Sequence, residues 1–133
     1  VAVGDFNGDG SQDLAVSHGG TSQSVGVLLG DSSGTFGAVT NFDGGQGHRS
    51  DVSVGEFNGD GHLDLVVANV AQQNAVFFNQ DDGKNYQEVR FGDTSHATYG
   101  LDTGDLNGDG FQDIAVANSG SHNLVFLNRP LRK

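Results

Sequence analysis

DFNGDGSQD, at residues 5–13, returns as EFNGDGHLD at 56–64 and as DLNGDGFQD at 105–113. Successive copies begin 51 and 49 residues apart. The similarity continues on both sides, because VAVGDF and DLAV around the first copy correspond to VSVGEF and DLVV around the second. A repeat of about 50 residues lies in the range that is typical of solenoids and propellers.

Each repeat divides into short β-prone runs separated by clusters of glycine, asparagine and serine. These runs alternate at a period of two and are rich in β-branched residues, which favours strands over helices. The predicted strands are 1–6, 13–18, 24–30, 36–42, 51–57, 64–69, 74–79, 85–91, 101–106, 113–118 and 122–128. Four short antiparallel strands form one propeller blade. We therefore predict an all-β fold with complete blades at 1–50 and 51–100 and a partial blade at 101–133 that lacks its fourth strand.

The composition excludes several classes of partner. The formal charge is −11, from 17 acidic and 6 basic residues among 133. Nine of the 17 acids lie inside the three loops, so the negative charge is clustered at three points. Binding to nucleic acid requires a basic patch, and binding to an anionic membrane surface also requires positive charge on the protein. Neither partner is expected.

Cysteine and methionine are both absent. The lack of cysteine excludes a disulfide framework and thiolate metal sites. No apolar run approaches the length of a membrane span, so membrane insertion is not expected. The chain opens on VAVGDF, already inside an apolar alternation. We therefore expect it to be part of a longer polypeptide.

The first loop places oxygen-bearing groups at alternating positions. With Asp5 as position 1, side-chain oxygens fall at positions 1, 3, 5 and 9, which are Asp5, Asn7, Asp9 and Asp13. The backbone carbonyl of Ser11, at position 7, can supply one more. Hard oxygen ligands in this number suit Ca²⁺, which takes about 6–8 oxygens in a flexible geometry. Gly10 at position 6 permits the sharp turn, because no Cβ resists a positive φ.

Other readings of the loop are weaker. Mg²⁺ demands a tighter octahedral site, and Zn²⁺ favours cysteine and histidine ligands. An EF-hand requires a glutamate at position 12 between two helices, but that position holds Val16, Val67 and Val116 in strand-like runs. Asn-Gly and Asp-Gly also favour plain polar turns. The same ligand spacing in three loops argues against turns alone.

The motif Asp-x-Asn-x-Asp-Gly-x-x-Asp, between two strands and repeated along most of the chain, resembles the FG-GAP/VCBS repeat of calcium-bearing β-propellers, including those of integrin α-subunits. The resemblance implies a calcium loop between the first two strands of each blade, and so three Ca²⁺ sites. Glu56 departs from the aspartate of the family at position 1, and two consequences of its extra methylene stay open: a weaker second site, or a site completed by a water molecule. The implied ligands are Asp5, Asn7, Asp9, Ser11 and Asp13; Glu56, Asn58, Asp60, His62 and Asp64; and Asp105, Asn107, Asp109, Phe111 and Asp113.

Taken together, these features predict a calcium-stabilised propeller module of an extracellular or cell-surface adhesion or structural protein, and not an enzyme. A propeller lectin is the alternative, although the chain has no tryptophan and only 2 tyrosines for stacking on sugars. A scaffold for a secreted enzyme is a third reading, with its catalytic residues elsewhere.

The predicted partners are further blades of the parent chain or identical copies, in a homo-oligomer or filament, and a glycan or protein ligand. The five histidines are expected to be surface residues, since those of separate blades would not meet. Phe36 and Tyr86 are expected to pack between blades.

Overall fold

The computed structural model describes residues 1–19, 24–43, 48–80 and 82–129. Over these residues the protein consists of strands and turns, with every pairing antiparallel, and no helix of a length and apolarity that could cross a membrane is found there. The strands are β1 (Ala2–Gly4), β2 (Asp13–Ser17), β3 (Ser24–Leu28), β4 (Thr40–Asp43), β5 (His48–Gly55), β6 (Asp64–Val70), β7 (Asn74–Asn79), β8 (Tyr86–Phe91), β9 (Ala97–Gly104), β10 (Asp113–Ser119) and β11 (Leu124–Phe126). The all-β prediction is confirmed.

The strands follow one another in three groups. Strands β1 to β4 form a four-stranded sheet in sequence order, which we call the first sheet. Strands β5 to β8 pair in the same order and form the second group, and β9 to β11 form the third group. A single pairing, Val70 with Ala97, joins the second and third groups into one sheet.

Several predicted strands have different bounds in the structure. The predicted strand 36–42 is reduced to Thr40–Asp43, and Phe36 makes only an isolated bridge with Gly30. Strands β5 and β9 begin at His48 and Ala97, earlier than the predicted 51 and 101. Neither the His-Arg-Ser that opens β5 nor the Ala-Thr that opens β9 contains a run of large apolar residues that would indicate a strand. The last four residues of the NRPLRK tail lie outside the described residues.

Strand β6 lies at the centre of the fold and is buried on both faces. Leu65 and Val67 point to one side and Val66 to the other, because successive side chains of a strand alternate. The first side packs against the first sheet and forms a cluster composed of Phe6, Ala15, Val25, Val27, Val52, Leu65, Val67, Ala75 and Phe77. The second side faces the third group, where Val66 and Val76 meet Ile114 and Val116. Each interface between neighbouring groups thus has its own apolar core.

Candidate metal centre

The three repeated loops close the same hairpin in the same register. Each loop joins the first two strands of its group, and the residue before the loop pairs with the aspartate that ends it. These pairs are Gly4 with Asp13, Gly55 with Asp64, and Gly104 with Asp113. The structure therefore places equivalent residues of the three loops at equivalent points of the fold.

Two glycines in each loop adopt a left-handed backbone. In the first loop Gly8 has φ of 74° and Gly10 has φ of 87°, and the other two loops repeat these values closely. A Cβ added at any of these glycines would meet open space, so the requirement for glycine is conformational. The Asn-Gly-Asp-Gly sequence thus shapes a tight, exposed turn.

The carboxylate at position 1 holds this turn from inside. Asp5 Oδ1 accepts the N–H of Gly8 at 2.7 Å, and its Oδ2 accepts the N–H of Gly10 at 2.8 Å. Asp105 repeats both bonds in the third loop, to Gly108 at 2.7 Å and Gly110 at 2.9 Å. These N–H groups lower the pKa of Asp105, led by that of Gly110, because they favour the charged carboxylate.

Glu56 is arranged differently at the same position. Its Oε1 accepts the N–H groups of Asn58 at 3.0 Å and Gly59 at 2.5 Å. In the described part of the chain, no hydrogen bond joins Glu56 to Gly61, the counterpart of Gly10. The longer side chain therefore changes the pattern that Asp5 and Asp105 share.

Positions 3 and 5 are bonded to each other in every loop. In the first loop Asn7 Nδ2 donates to Asp9 Oδ2 at 2.8 Å, and Asn7 Oδ1 accepts the N–H of Asp9 at 3.0 Å. The N–H of Ser11 donates to Asp9 Oδ1 at 2.7 Å, and this bond is the main cause of the lowered pKa of Asp9. The same three bonds link Asn58, Asp60 and His62, and link Asn107, Asp109 and Phe111.

The aspartate at position 9 turns into the protein. Asp13, Asp64 and Asp113 are each completely buried. In the second loop, Asp64 Oδ2 accepts the N–H of Phe57 at 3.0 Å and Oδ1 accepts the N–H of Asn79 at 2.8 Å. The other two aspartates bind the same backbone groups of their own repeats, at 2.7–2.9 Å. The position-9 carboxylate therefore fastens the loop to the end of the third strand in its group.

The pKa of Asp64 shows that its charged carboxylate lies in an unfavourable environment. Burial raises its pKa to about 6, the N–H groups of Phe57 and Asn79 oppose this rise, and the charges of Asp60 and Glu56 add to it. A divalent cation among these carboxylates would relieve both the burial and the repulsion.

The donor groups fit a hard cation such as Ca²⁺, since each ligand predicted from the sequence offers an oxygen. An ionised carboxylate has about four lone-pair sites, so Asp13, Asp64 and Asp113 keep free lone pairs after accepting two N–H groups. Within residues 1–19, 24–43, 48–80 and 82–129, however, no three acidic or histidine side chains already converge as a metal-binding group. A cation would have to draw the carboxylates of a loop together.

Asp93, Ser95 and His96 form a small constellation that the sequence did not reveal. Ser95 Oγ donates to Asp93 Oδ1 at 2.5 Å, and His96 Nδ1 lies 2.7 Å from the same oxygen. In a catalytic triad the aspartate and the nucleophile bind opposite nitrogens of the imidazole. Here both lie next to Nδ1, so the geometry is that of an exposed polar turn.

The aromatic residues singled out in the sequence differ in their surroundings. Tyr86 packs against the cluster between the first sheet and the second group, with its ring 4.7 Å from that of Phe42. Phe36, in the first group, is 45% exposed. The prediction of packing between groups is therefore confirmed for Tyr86, which packs toward the preceding group, and it stays a prediction for Phe36, since the described residues contain no group before the first sheet.

Comparison with known families agrees with the repeated loops. A family model described as an FG-GAP-like repeat matches residues 5–67 and, again, residues 56–116. Each match begins at the position-1 acid of one loop and ends in the strand after the next loop, and together they cover well over half of the chain. No curated protein matches the chain.

Proposed function

The chain belongs to the FG-GAP-like repeat family, and we propose that it forms calcium-binding propeller blades of an extracellular adhesion or structural protein. In this proposal the first sheet and the second group are complete blades, and the third group is a blade of three strands. One Ca²⁺ in each loop stabilises the hairpin that carries it.

The observation that carries the proposal is the construction that the three loops share. In each, an acid at position 1 accepts loop N–H groups, an amide and an aspartate are bonded at positions 3 and 5, and a buried aspartate ends the loop. A plain turn requires neither three acids nor a buried carboxylate at its end. Three Ca²⁺ would also change the formal charge from −11 to −5.

In the first loop Asp5, Asn7, Asp9 and Asp13 would hold the ion together with the carbonyl of Ser11. The corresponding residues of the other loops would hold theirs, with Glu56 in the place of Asp5. When bound, the cation supplies positive charge that compensates the clustered carboxylates. Because the ligands are brought together only in the folded chain, the binding energy contributes to folding.

An extracellular location fits such sites. Extracellular calcium modules bind with dissociation constants of about 10⁻⁴–10⁻³ M, which the calcium supply outside cells saturates. Loops that are exposed and not already arranged as a metal cage are expected to bind in this weak range.

The test is thermal unfolding of the chain in calcium and after removal of calcium with a chelator. We expect calcium to raise the melting temperature, magnesium to do so less, and native mass spectrometry to find three calcium ions per chain. Replacing Asp9 with asparagine should remove one ion. The matched control is Asp93→Asn, which alters an exposed aspartate that also accepts a backbone N–H but lies outside the loops.

A chain that retains no calcium, and that melts at the same temperature with and without chelator, would overturn the proposal. The loops would then be hydrogen-bonded polar turns.

A further inference from the structure

The second loop contains an Asp-Gly step, Asp60–Gly61, whose glycine N–H has no hydrogen-bond partner in the part of the chain that the structure describes. In the first and third loops the equivalent N–H groups, of Gly10 and Gly110, donate to the position-1 aspartate at 2.8 and 2.9 Å. Glu56, at position 1 of the second loop, instead accepts two N–H groups that come earlier in the loop. The three loops thus differ at one backbone nitrogen.

A glycine nitrogen in this position can react with the aspartate side chain before it. The nitrogen gives up its proton, its electron pair forms a bond to the aspartate Cγ, and a carboxyl oxygen leaves as water, which yields a five-membered succinimide. Glycine favours this ring closure because it has no side chain and adopts many backbone conformations. Water then opens the ring. Cleavage of the original peptide C–N bond gives isoaspartate, with no net change in mass.

The carboxyl group of Asp60 is arranged for such an attack. The N–H of His62 donates to Asp60 Oδ1 at 2.8 Å, and Asn58 Nδ2 donates to Oδ2 at 2.8 Å. The first bond closes a ring that includes the nitrogen of Gly61, so the carboxyl group is turned back toward the backbone that carries this nitrogen. Both donors also stabilise negative charge that develops on the carboxyl oxygens during the attack.

The position-1 carboxylate protects the other two loops. A carboxylate that accepts a hydrogen bond from the glycine N–H disfavours loss of that proton, because the bond stabilises the N–H and the negative charge opposes a second one beside it. Asp5 holds Gly10 in this way, and Asp105 holds Gly110. Gly61 is exposed and lacks this bond.

We propose that Asp60–Gly61 is a site of spontaneous isoaspartate formation, and that Glu56 makes it the most reactive Asp-Gly step of the three loops. Isoaspartate adds one methylene to the backbone of the loop and moves the position-5 carboxylate. The second loop then loses the bonding pattern that the other two keep. The reaction does not depend on the proposed calcium site, although its consequence for a bound cation does.

Incubation of the folded protein in chelator at neutral pH, below its melting temperature, tests the proposal. Peptide mapping combined with an enzymatic methylation specific for isoaspartate quantifies the product in each loop. The same incubation in urea gives the rate of each step in the unfolded chain and corrects for its sequence neighbours. Relative to that reference, Asp60 should form isoaspartate about tenfold faster than Asp9 and Asp109, whose steps are protected by a hydrogen bond to a charged group.

Two glutamate variants locate the cause. Glu56→Asp introduces the residue that the other loops have at position 1, and it should lower the rate at Asp60 to the rate of the equivalent steps. The matched control is Glu88→Asp, which makes the same change at the only other glutamate of the sequence, a residue paired with Arg90. This variant should leave the rate at Asp60 unchanged. Both substitutions preserve the charge of the chain.

Equal corrected rates at the three steps of the folded chain, or an unchanged rate at Asp60 in Glu56→Asp, would overturn the proposal. Deamidation of Asn58 is a different reaction and is recognised by the increase in mass that it causes. Excess calcium tests the proposed function separately. A cation bound in the second loop should slow the reaction at Asp60, and a rate that calcium does not change would count against that calcium site alone.

Discussion

The aspartate that ends each loop has a structural role in the fold and is also a predicted metal ligand. Asp13, Asp64 and Asp113 are buried and bonded to two backbone N–H groups, so they connect the loop to the third strand of their group. They are also the ligands that the sequence predicts at position 9. A substitution at one of them would therefore change both stability and cation binding, and the two effects need separate measurements.

The raised pKa of Asp64 gives one such measurement. In calcium-free protein its pKa is about 6, against 3.8 for a free side chain, so the folded state binds the proton more tightly than the unfolded state. The stabilisation from this group is complete below pH 3.8 and is lost as the pH rises through 6. The difference corresponds to roughly 3 kcal/mol.

We therefore expect that, in chelator, wild type loses stability relative to Asp64→Asn as the pH rises from about 4 to 6. Urea unfolding of both proteins across this range measures the difference. A difference that stays constant with pH would contradict the raised pKa. Excess calcium should flatten the profile, because the cation competes with the proton.

Position 2 of the loops allows a comparison of equivalent residues in different surroundings. Phe6 is 1% exposed in the cluster between the first sheet and the second group, whereas Leu106 is 55% exposed. We expect Phe6→Ala to lower the free energy of unfolding by about 3–5 kcal/mol, as for other buried aromatic truncations. Leu106→Ala should change it by about 0.5 kcal/mol or less. Similar losses for both variants would show that Leu106 is covered in solution.

At the scale of the element, the connection between groups depends on one asparagine after each third strand. Asn79 is completely buried, donates from Nδ2 to the carbonyls of Phe6 and Leu63, and accepts the N–H of Gly83. Asn128 makes the equivalent bond to Phe57 but is only half-buried. If the side-chain amide were removed, water could replace its hydrogen bond more readily at Asn128 than at Asn79.

Asn79→Ala is therefore expected to lower the free energy of unfolding by about 2–3 kcal/mol, because buried polar groups are left unpaired. Asn128→Ala should lower it by about 1 kcal/mol. Chemical denaturation of the two variants makes the comparison, and a larger loss for Asn128 would contradict the order of burial.

The strands that the sequence could predict are those with a clear apolar run or apolar alternation. β6 was evident from the run DLVVAN, and β7 from NAVFF. The early part of β9 was not, because Ala97 and Thr98 give no such pattern, and its pairing is supported by tertiary contacts. One is the bond from Ser50 Oγ to the carbonyl of Thr98 at 2.6 Å. Residues 36–39 were wrongly predicted to begin a strand, since their apolar side chains lie in an exposed segment that joins no regular strand.

At the scale of the whole molecule, burial decreases from the second group toward the third. β6 is buried along nearly its whole length, whereas all three residues of β11 retain partial or full exposure. Neighbour-to-neighbour contacts dominate stability in repeat proteins, so the group with fewer covered faces should open first.

We expect amide hydrogen exchange to be slowest in β6 and β7 and fastest in β11, with β10 between them. Native-state exchange measured by mass spectrometry or NMR gives this order directly. Uniform protection across the eleven strands would indicate that the chain unfolds only as one unit.

Like the strands, the candidate site could be predicted from the sequence only in part. The spacing of oxygen ligands identified each loop, and the family match agrees with it. The inward turn of Asp13 could not be predicted, because its partners Phe6 and Gly30 come together only after three strands have paired.

The hydrogen bond from an asparagine to the preceding group runs in the same direction along the chain at each junction. Position 2 of a loop provides the carbonyl, and an asparagine in the following repeat provides the amide. The second repeat carries both parts, with Phe57 and Asn79, so gene duplication of that repeat would yield a unit ready to join either neighbour. The first repeat carries Gly30 in place of the asparagine, and an added Cβ there would approach the carbonyl of Gln12 to 2.2 Å. Tandem copying of the middle repeat would therefore give a unit that can make this hydrogen bond with the repeats on both sides. A copy of the first repeat would lack the asparagine for its contact with the repeat before it.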